Sequence, residues 1–491
     1  MSDADLFPSL VIHADRLEPQ GAFAVAQAAY LNPDPTVTRE LERRLREHKV
    51  GIVAHFYMDP ELQGVLGAVD WPHVHVSDSL AMADAAVKMA TAGLDAIVVL
   101  GVDFMSENVR AMLDAAGFER LPVYRATEQP IGCSLAEAAE TPAYRGYLLE
   151  AASLPSSLHV IYINTSLLVK ARAHELVPTI TCTSSNVVRT ILQAFAQVPE
   201  LTLWYGPDTY MGENLRTLFA ELASMDTPSV AAMHPAHTPA SVASLLGRFH
   251  YFKQGACIVH HLFGQDVARR VQSEYSHAFV TAHLEVPGEM FALALEAQHS
   301  GRGVVGSTSD ILGFIGAQLD AAIAARAATG RRRPPRLSFV LGTEAGMVTP
   351  IVRRVQARLR ECGSQGRPEP EVEIVFPVAS EAVARTDDRE LRLVPGVADG
   401  EGCSSAGGCA TCRYMKMNSL GALLELLSRL SSEPPGALAA FAPRKHTELV
   451  GGRRAAELGS EPVLHMRELG RTGRLPDALV QDIRGRRQPL G

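Results

Sequence analysis

Short apolar, β-branched runs alternate along this chain with longer stretches in which apolar residues recur every three to four positions. That alternation is the pattern of strand–helix units that pack as parallel sheets covered by helices. It predicts strands over Val50–His55, Ala96–Leu100, His159–Asn164, Leu201–Tyr205, Val304–Gly306, Leu337–Gly342 and Glu371–Phe376. It predicts helices over Leu80–Ala92, Asn186–Ala196, Gly288–Gln298 and Ile311–Ala325. Polar motifs fall where the strands end: AHFY, SDSL, GVDFM, YINTS, TSSN, GPD, GSTS and GTE. In open parallel sheets the carboxyl ends of the strands are where ligands bind.

These polar ends repeat. His55, Tyr162 and His283 begin three sets, Ser79, Ser184 and Ser307 follow, and Asp103, Asp208 and Glu344 come third at similar separations. The expectation is an α/β protein of three similar parallel-sheet domains in a pseudo-threefold triangle around a common centre. The domains are expected over residues 36–150, 151–262 and 263–430. An extension over 1–35 precedes them, and a tail over 431–491, rich in Gly, Pro and Arg with little periodicity, follows. The stretch GRRRPPR at 330–336 reads as a solvated loop.

Composition narrows the function. The 491 residues are 47% hydrophobic and 20% charged, enough for large cores and against wholesale disorder. With 46 basic against 54 acidic side chains and 6% aromatic residues, no nucleic-acid partner is expected. The start, MSDADLFPSL, carries acids where a secretory signal carries positive charge. No apolar run approaches the roughly 20 residues of a membrane span. A cytoplasmic protein with no membrane partner is expected, and in that reducing setting seven cysteines suggest metal or catalysis over disulfides. The basic residues are nearly all arginine. A lysine that persists inside a motif therefore gains interest; the six are Lys49, Lys88, Lys170, Lys253, Lys416 and Lys445.

Cys403, Cys409 and Cys412 cluster in GEGCSSAGGCATCRYMKMNSL. Zinc would need a fourth ligand that is not near, and iron–sulfur ligation competes with it. Cys133 and Cys257 each fall late in a repeated unit, as Cys412 does. One thiolate per domain would hold three irons of a cubane and leave the fourth open as a Lewis acid. SDSL, TSSN and GSTS put hydroxyls at helix starts, where a polyanionic ligand is favoured. His55 with Tyr57, and His283 with Glu285, could orient a ligand or exchange protons. No GxSxG elbow, P-loop or GxGxxG is present.

Over residues 50–425, AHFYMDPELQ, DSLAMA, GVDFMSENVRAML, YINTSLLVKA, CTSSN, GPD, GACIVH, GSTSDI, TEAGM and GGCATCRYMKMNSL resemble, in order, the quinolinate synthase family. The resemblance implies a [4Fe–4S] cluster where three α/β domains meet. It implies condensation of iminoaspartate with dihydroxyacetone phosphate to quinolinate, phosphate and water, for NAD biosynthesis. The implied cluster ligands are Cys133, Cys257 and Cys412, and the implied catalytic residues are Tyr57, His283 and Glu285. Implied substrate contacts are His55, Ser79, Tyr162, Asn164, Ser184, Ser307 and Thr308. Cys403 and Cys409 match a longer loop found in a subset of the family, where a disulfide switch or a structural role is expected. Implied partners are an L-aspartate oxidase or dehydrogenase that supplies iminoaspartate, and iron–sulfur assembly proteins.

The chain departs from the family pattern in places. HPEC reads His283-Leu284-Glu285-Val286, GDSL reads SDSL, and Phe56 is the aromatic between His55 and Tyr57. The insertion around Arg331–Arg336 and the tail after 430 fall outside the resemblance. The alternatives are a diphthamide-type radical enzyme with the same three-cysteine architecture, and a non-enzymatic metal sensor built on Cys403, Cys409 and Cys412.

Overall fold

The computed structural model describes residues 6–329, 336–364, 369–377, 412 and 414–486. Three parallel sheets share one strand order. In the first, Val74–Ser77, Val50–His55, Ala96–Leu100 and Val123–Arg125 lie side by side. In the second the order is Thr179–Cys182, Ser157–Tyr162, Thr202–Gly206 and Phe249–Tyr251. In the third it is Gly303–Gly306, Phe279–His283, Arg336–Gly342 and Glu371–Val375. Each unit thus lays its first strand between its second and third, which creates a switch point at the carboxyl end of that first strand. Runs such as VGIVAH and AIVVL are buried throughout, as strands covered by helices on both faces must be.

The registers coincide as well. His55 lies opposite Ser77, Tyr162 opposite Cys182, and His283 opposite Gly306. The three residues that head the sequence repeat are therefore the last residues of equivalent strands. Strands such as VHVS (Val74–Ser77) and TITC (Thr179–Cys182) escape the apolar pattern because they are four residues long and half polar.

The extension and the tail, expected to lie outside the three domains, pack onto them. Within the first 35 residues, Ser9–Ile12 is fully buried and pairs antiparallel with Glu371–Val375, and Leu17–Gln20 pairs beyond it. The third sheet thereby gains two strands, because the apolar run SLVI needs cover that the edge of the sheet supplies. The tail after 430 folds into helices over Ala455–Thr472 and Asp477–Gly485. Leu458, Pro462, Met466 and Leu469 form a buried stripe at helical spacing. A stripe holding a proline, among many charged residues, hides its period from a simple reading.

Residues 330–335 of GRRRPPR lie outside the described residues, and Arg336 opens the third strand of its sheet, 3.1 Å from Glu371. Cys403 and Cys409 also lie outside the described residues. Among the described residues, no helix is long and apolar enough to cross a membrane.

The tail helix Ala455–Thr472 approaches the helix Leu167–Leu176 so closely that a Cβ on Gly459 would stand 2.0 Å from the Leu167 carbonyl oxygen. Gly459→Ala is expected to destabilise the protein by about 1–3 kcal/mol, the usual size of an overpacking penalty. Thermal denaturation of the two proteins checks this; an unchanged midpoint would mean that the tail helix is not seated there.

Candidate active site

The carboxyl ends of the three sheets open on one cavity of about 80 Å³. His55, Tyr162 and His283, the three equivalent strand ends, all line it, and so do Tyr57, Asn164 and Glu285 just beyond them. Chain turns tighten this placement. The Tyr57 N–H donates to His55 Nδ1 at 3.2 Å, and the Glu285 N–H donates to His283 Nδ1 at 3.3 Å. Both rings then accept at Nδ1, which leaves the ring proton on Nε2. Burial pushes His55 down to about 4 and His283 to about 3, so both are neutral donors near neutral pH.

Two positions beyond the end of each second strand stand Ser79, Ser184 and Thr308, and all three line the cavity. Ser307 is one position out of step. Its N–H and Oγ donate to Asp310 Oδ2 at 2.7 and 2.6 Å, and the Asp310 N–H returns a bond to Ser307 Oγ at 3.3 Å. Ser307 therefore caps the helix Thr308–Thr329 and does not line the cavity. Residue type paired Ser307 with Ser79 and Ser184; strand register pairs Thr308 with them. Asp78 takes the capping task in the first unit, accepting from the N–H groups of Leu80 and Ala81 at 3.1 and 2.9 Å. No lysine or arginine lines the cavity among the described residues. The positive field available to an anion there comes from helix N-termini.

Cys133, Cys257 and Cys412 line the same cavity as free, half-buried thiols. Each begins a helical turn. The carbonyl of Cys133 accepts the N–H of Glu137 at 2.9 Å, that of Cys257 the N–H of His261 at 3.1 Å, and that of Cys412 the N–H of Lys416 at 3.2 Å. Each sulfur in turn faces backbone N–H groups of its own turn: Leu135 and Ala136, His260, and Tyr414 and Met415. Burial pushes the Cys133 thiol up to about 11 and holds Cys257 and Cys412 above their ordinary value. Three soft donors on one cavity, desolvated but supplied with N–H groups, suit a metal that displaces their protons. Cys182 and Cys362 are buried elsewhere and do not line the cavity.

A buried polar group sits beside the thiols. The Tyr162 hydroxyl donates to Glu285 Oε1, and His260 Nδ1 lies 3.0 Å from Glu285 Oε2. His260 stacks on His283 with ring centroids 4.9 Å apart. Burial pushes the Glu285 carboxyl up, yet His260, His283 and Tyr162 more than offset this and hold it down at about 2. Tyr57, whose hydroxyl is 3.1 Å from Thr343 Oγ1, is raised well above its ordinary value by burial and by the charges of Glu285 and Glu344, and stays protonated.

Sequence reasoning missed His260 and passed over Glu344 as a site residue. Donor atoms of Cys257, His260 and Glu285 all lie within 4.8 Å of one another, so His260 belongs to the site and these three could hold a metal ion. The sequence offers only its nearness to Cys257, which His261 shares. Glu344 lines the cavity and accepts the Cys412 N–H at Oε1. Its counterparts in the third repeated series do other work: Asp103 pairs with Arg125 at 2.8 Å, and Asp208 caps Met211 at 2.9 Å.

Comparison with known proteins agrees with this geometry. The family model described as "NadA: Quinolinate synthetase A protein" matches residues 39–358. A chloroplastic quinolinate synthase of Nicotiana tabacum is 54% identical over 488 residues, covering 98% of this chain and 67% of that one. A chloroplastic quinolinate synthase of Arabidopsis thaliana is 54% identical over 489 residues, covering 97% and 67%. A quinolinate synthase of Prochlorococcus marinus (strain MIT 9303) is 25% identical over 414 residues, covering 83% and 89%. The chain spans about two thirds of the length of the plant relatives, and the similarity runs through the tail. The expected cytoplasmic location is overturned by these plant relatives, which are chloroplastic by name. The sensor and radical-enzyme alternatives give way to an enzyme whose architecture and relatives coincide: the chain belongs to the quinolinate synthase family.

Proposed function

We propose that this protein condenses iminoaspartate with dihydroxyacetone phosphate to give quinolinate, phosphate and water, with a [4Fe–4S] cluster held by Cys133, Cys257 and Cys412. The observation that carries this reading is the meeting of three helix-starting thiols and three equivalent strand-end side chains at one cavity. When bound, the cluster supplies a Lewis-acidic iron that no protein thiolate occupies.

The chain's own residues divide the remaining work. Ser79, Ser184 and Thr308, with the helix starts beside them, hold carboxylates and phosphate without a cationic side chain. His55 and His283 donate from Nε2 to substrate oxygen, and Asn164 adds a contact from the second unit. Tyr57 carries a proton that burial keeps in place, and it hands that proton on or donates it in a hydrogen bond. Glu285, ionised and oriented by Tyr162 and His260, accepts the proton lost in the late dehydration. Enclosure between three units keeps water from the intermediates. An L-aspartate oxidase or dehydrogenase supplies the iminoaspartate, and the names of the plant relatives favour a plastid setting.

Anaerobic purification with iron and sulfide counting, together with a quinolinate assay, tests the function. Cys133→Ser, Cys257→Ser and Cys412→Ser should each lose the absorbance near 400 nm and product formation together, and Cys362→Ala should keep both. Four irons retained in Cys133→Ser would sink the ligand assignment.

Glu285→Gln preserves shape but cannot take the proton. Turnover is expected to fall about 10²- to 10⁴-fold with iron content intact. A rate within about threefold of the native one, well short of that general-base range, would remove Glu285 from the role of base.

Ser307→Ala and Thr308→Ala separate a cap from a contact. The first should cost about 0.5–2 kcal/mol of stability and leave KM unchanged. The second should raise KM about ten- to a hundredfold, as loss of one hydrogen bond to a charged group does. Steady-state kinetics and thermal melts on both proteins decide it, and the reverse outcome would restore Ser307 as the substrate contact.

A further inference from the structure

The C-terminal segment reaches the back of the active-site wall. It lies along the helix Asp103–Ala115, where Arg444 Nη2 is 3.7 Å from Asp103 Oδ2 and His446 Nε2 is 2.9 Å from Glu107 Oε1. Two basic side chains of the tail thus meet two carboxylates one helical turn apart. Glu107 is 1% exposed and His446 is 8% exposed, so this second pair is shut away from water. Burial lowers His446, but the neighbouring Glu107 and Glu448 raise it overall.

Glu107 passes the contact inward. Its Oε2 accepts the N–H of Leu167 at 2.9 Å, the first residue of the helix Leu167–Leu176. One turn along that helix is Lys170, a fully buried lysine that the YINTSLLVKA motif retains in a chain with six lysines. Its Nζ donates to the carbonyls of Ile163, at 3.1 Å, and Thr165. Glu107 and Cys182 favour its ammonium form against burial, which pulls Lys170 down to about 7. The two carbonyls flank Asn164, which lines the cavity. Thr165 is also tied back, its N–H to Ile163 at 2.8 Å and its Oγ1 to the Tyr162 carbonyl at 3.1 Å. Neither Glu107, Lys170 nor His446 lines the cavity itself.

We propose that His446 is a positioning residue: the C-terminal segment braces Glu107, and Glu107 and Lys170 together fix the turn that presents Asn164 to the substrate. His446 lies outside residues 39–358, which the family model matches, and within the stretch shared with the plant relatives. Its effect on the reaction rests on Asn164 being a substrate contact.

The test compares His446→Ala, His446→Gln, Asn164→Ala and the double variant His446→Ala/Asn164→Ala in the full-length, iron-loaded protein. Hydrogen exchange at the Leu167 amide reads the brace directly. It is expected to quicken about tenfold in His446→Ala, the size of a polar contact to a charged group, and to return in His446→Gln, whose amide can donate to Glu107. KM for dihydroxyacetone phosphate is expected to rise about fivefold in His446→Ala, with kcat near native. Added to Asn164→Ala, the same change should raise KM no further. Unchanged exchange at Leu167 overturns the brace whatever the kinetics. Faster exchange with fully additive KM effects overturns its action through Asn164. A native KM in Asn164→Ala would instead remove Asn164 as a substrate contact, and the Leu167 exchange would still decide the brace.

Discussion

Glu285 is 3% exposed, and an ionised carboxylate at that depth persists only if other groups surround it. Those groups come from different parts of the chain: Tyr162 from the end of a strand in the second sheet, His260 from the turn after Cys257, and His283 from the third sheet. The carboxylate is satisfied only when the second and third units stand together. Tyr57 and Thr343 make a similar bond between the first and third, and Asn418 Oδ1 accepts the Gly101 N–H at 3.1 Å to pin the Cys412 segment to the first. Separating the units would strand buried polar groups on several faces at once. Those groups join the three sheets around the cavity, beside an apolar core to which all three contribute.

Much of this was legible because the three units are homologous in topology and not merely similar in composition. His55, Tyr162 and His283 were matched from polar strand ends, and register places all three at the same point of the same strand order. The match failed at Ser307, where residue type and register disagree by one position. A serine that caps a helix and a serine that faces a ligand look alike in sequence, and only the bonds to Asp310 tell them apart. His260 escaped for the opposite reason: it is adjacent to His261 in GACIVHH, and nothing in the sequence says which ring turns inward. His261 instead stacks against Tyr210, centroids 5.9 Å apart, while His260 is fully buried.

The strand near the start and the tail helix are hidden in the sequence for a different physical cause. A four-residue run such as SLVI carries too little pattern to declare itself a strand, and its partner lies more than 350 residues away in sequence, at Val372–Val375. Likewise the tail helix buries a stripe that includes Gly459 and Pro462, residues that normally argue against a helix interior. Tertiary contact decides both: the edge of the third sheet needs cover, and close approach to Leu167 requires a residue without a side chain.

The C-terminal segment is then more than an appendage to a family core. From Cys412 onward it touches the motif GVDFMSE repeatedly: Asn418 at Gly101, Arg444 at Asp103, His446 at Glu107. That motif opens the helix whose Phe104 lines the cavity and whose Glu107 holds the start of the next unit's helix. One stretch of chain thus delivers the third thiol to the centre and fastens the first unit to the second from behind. A core limited to residues 39–358 would hold two of the three sulfurs and leave Glu107 without its His446 contact. Both defects fall on the same boundary of the cavity, which ties completion of the thiol set to the rigidity of the wall that carries Asn164.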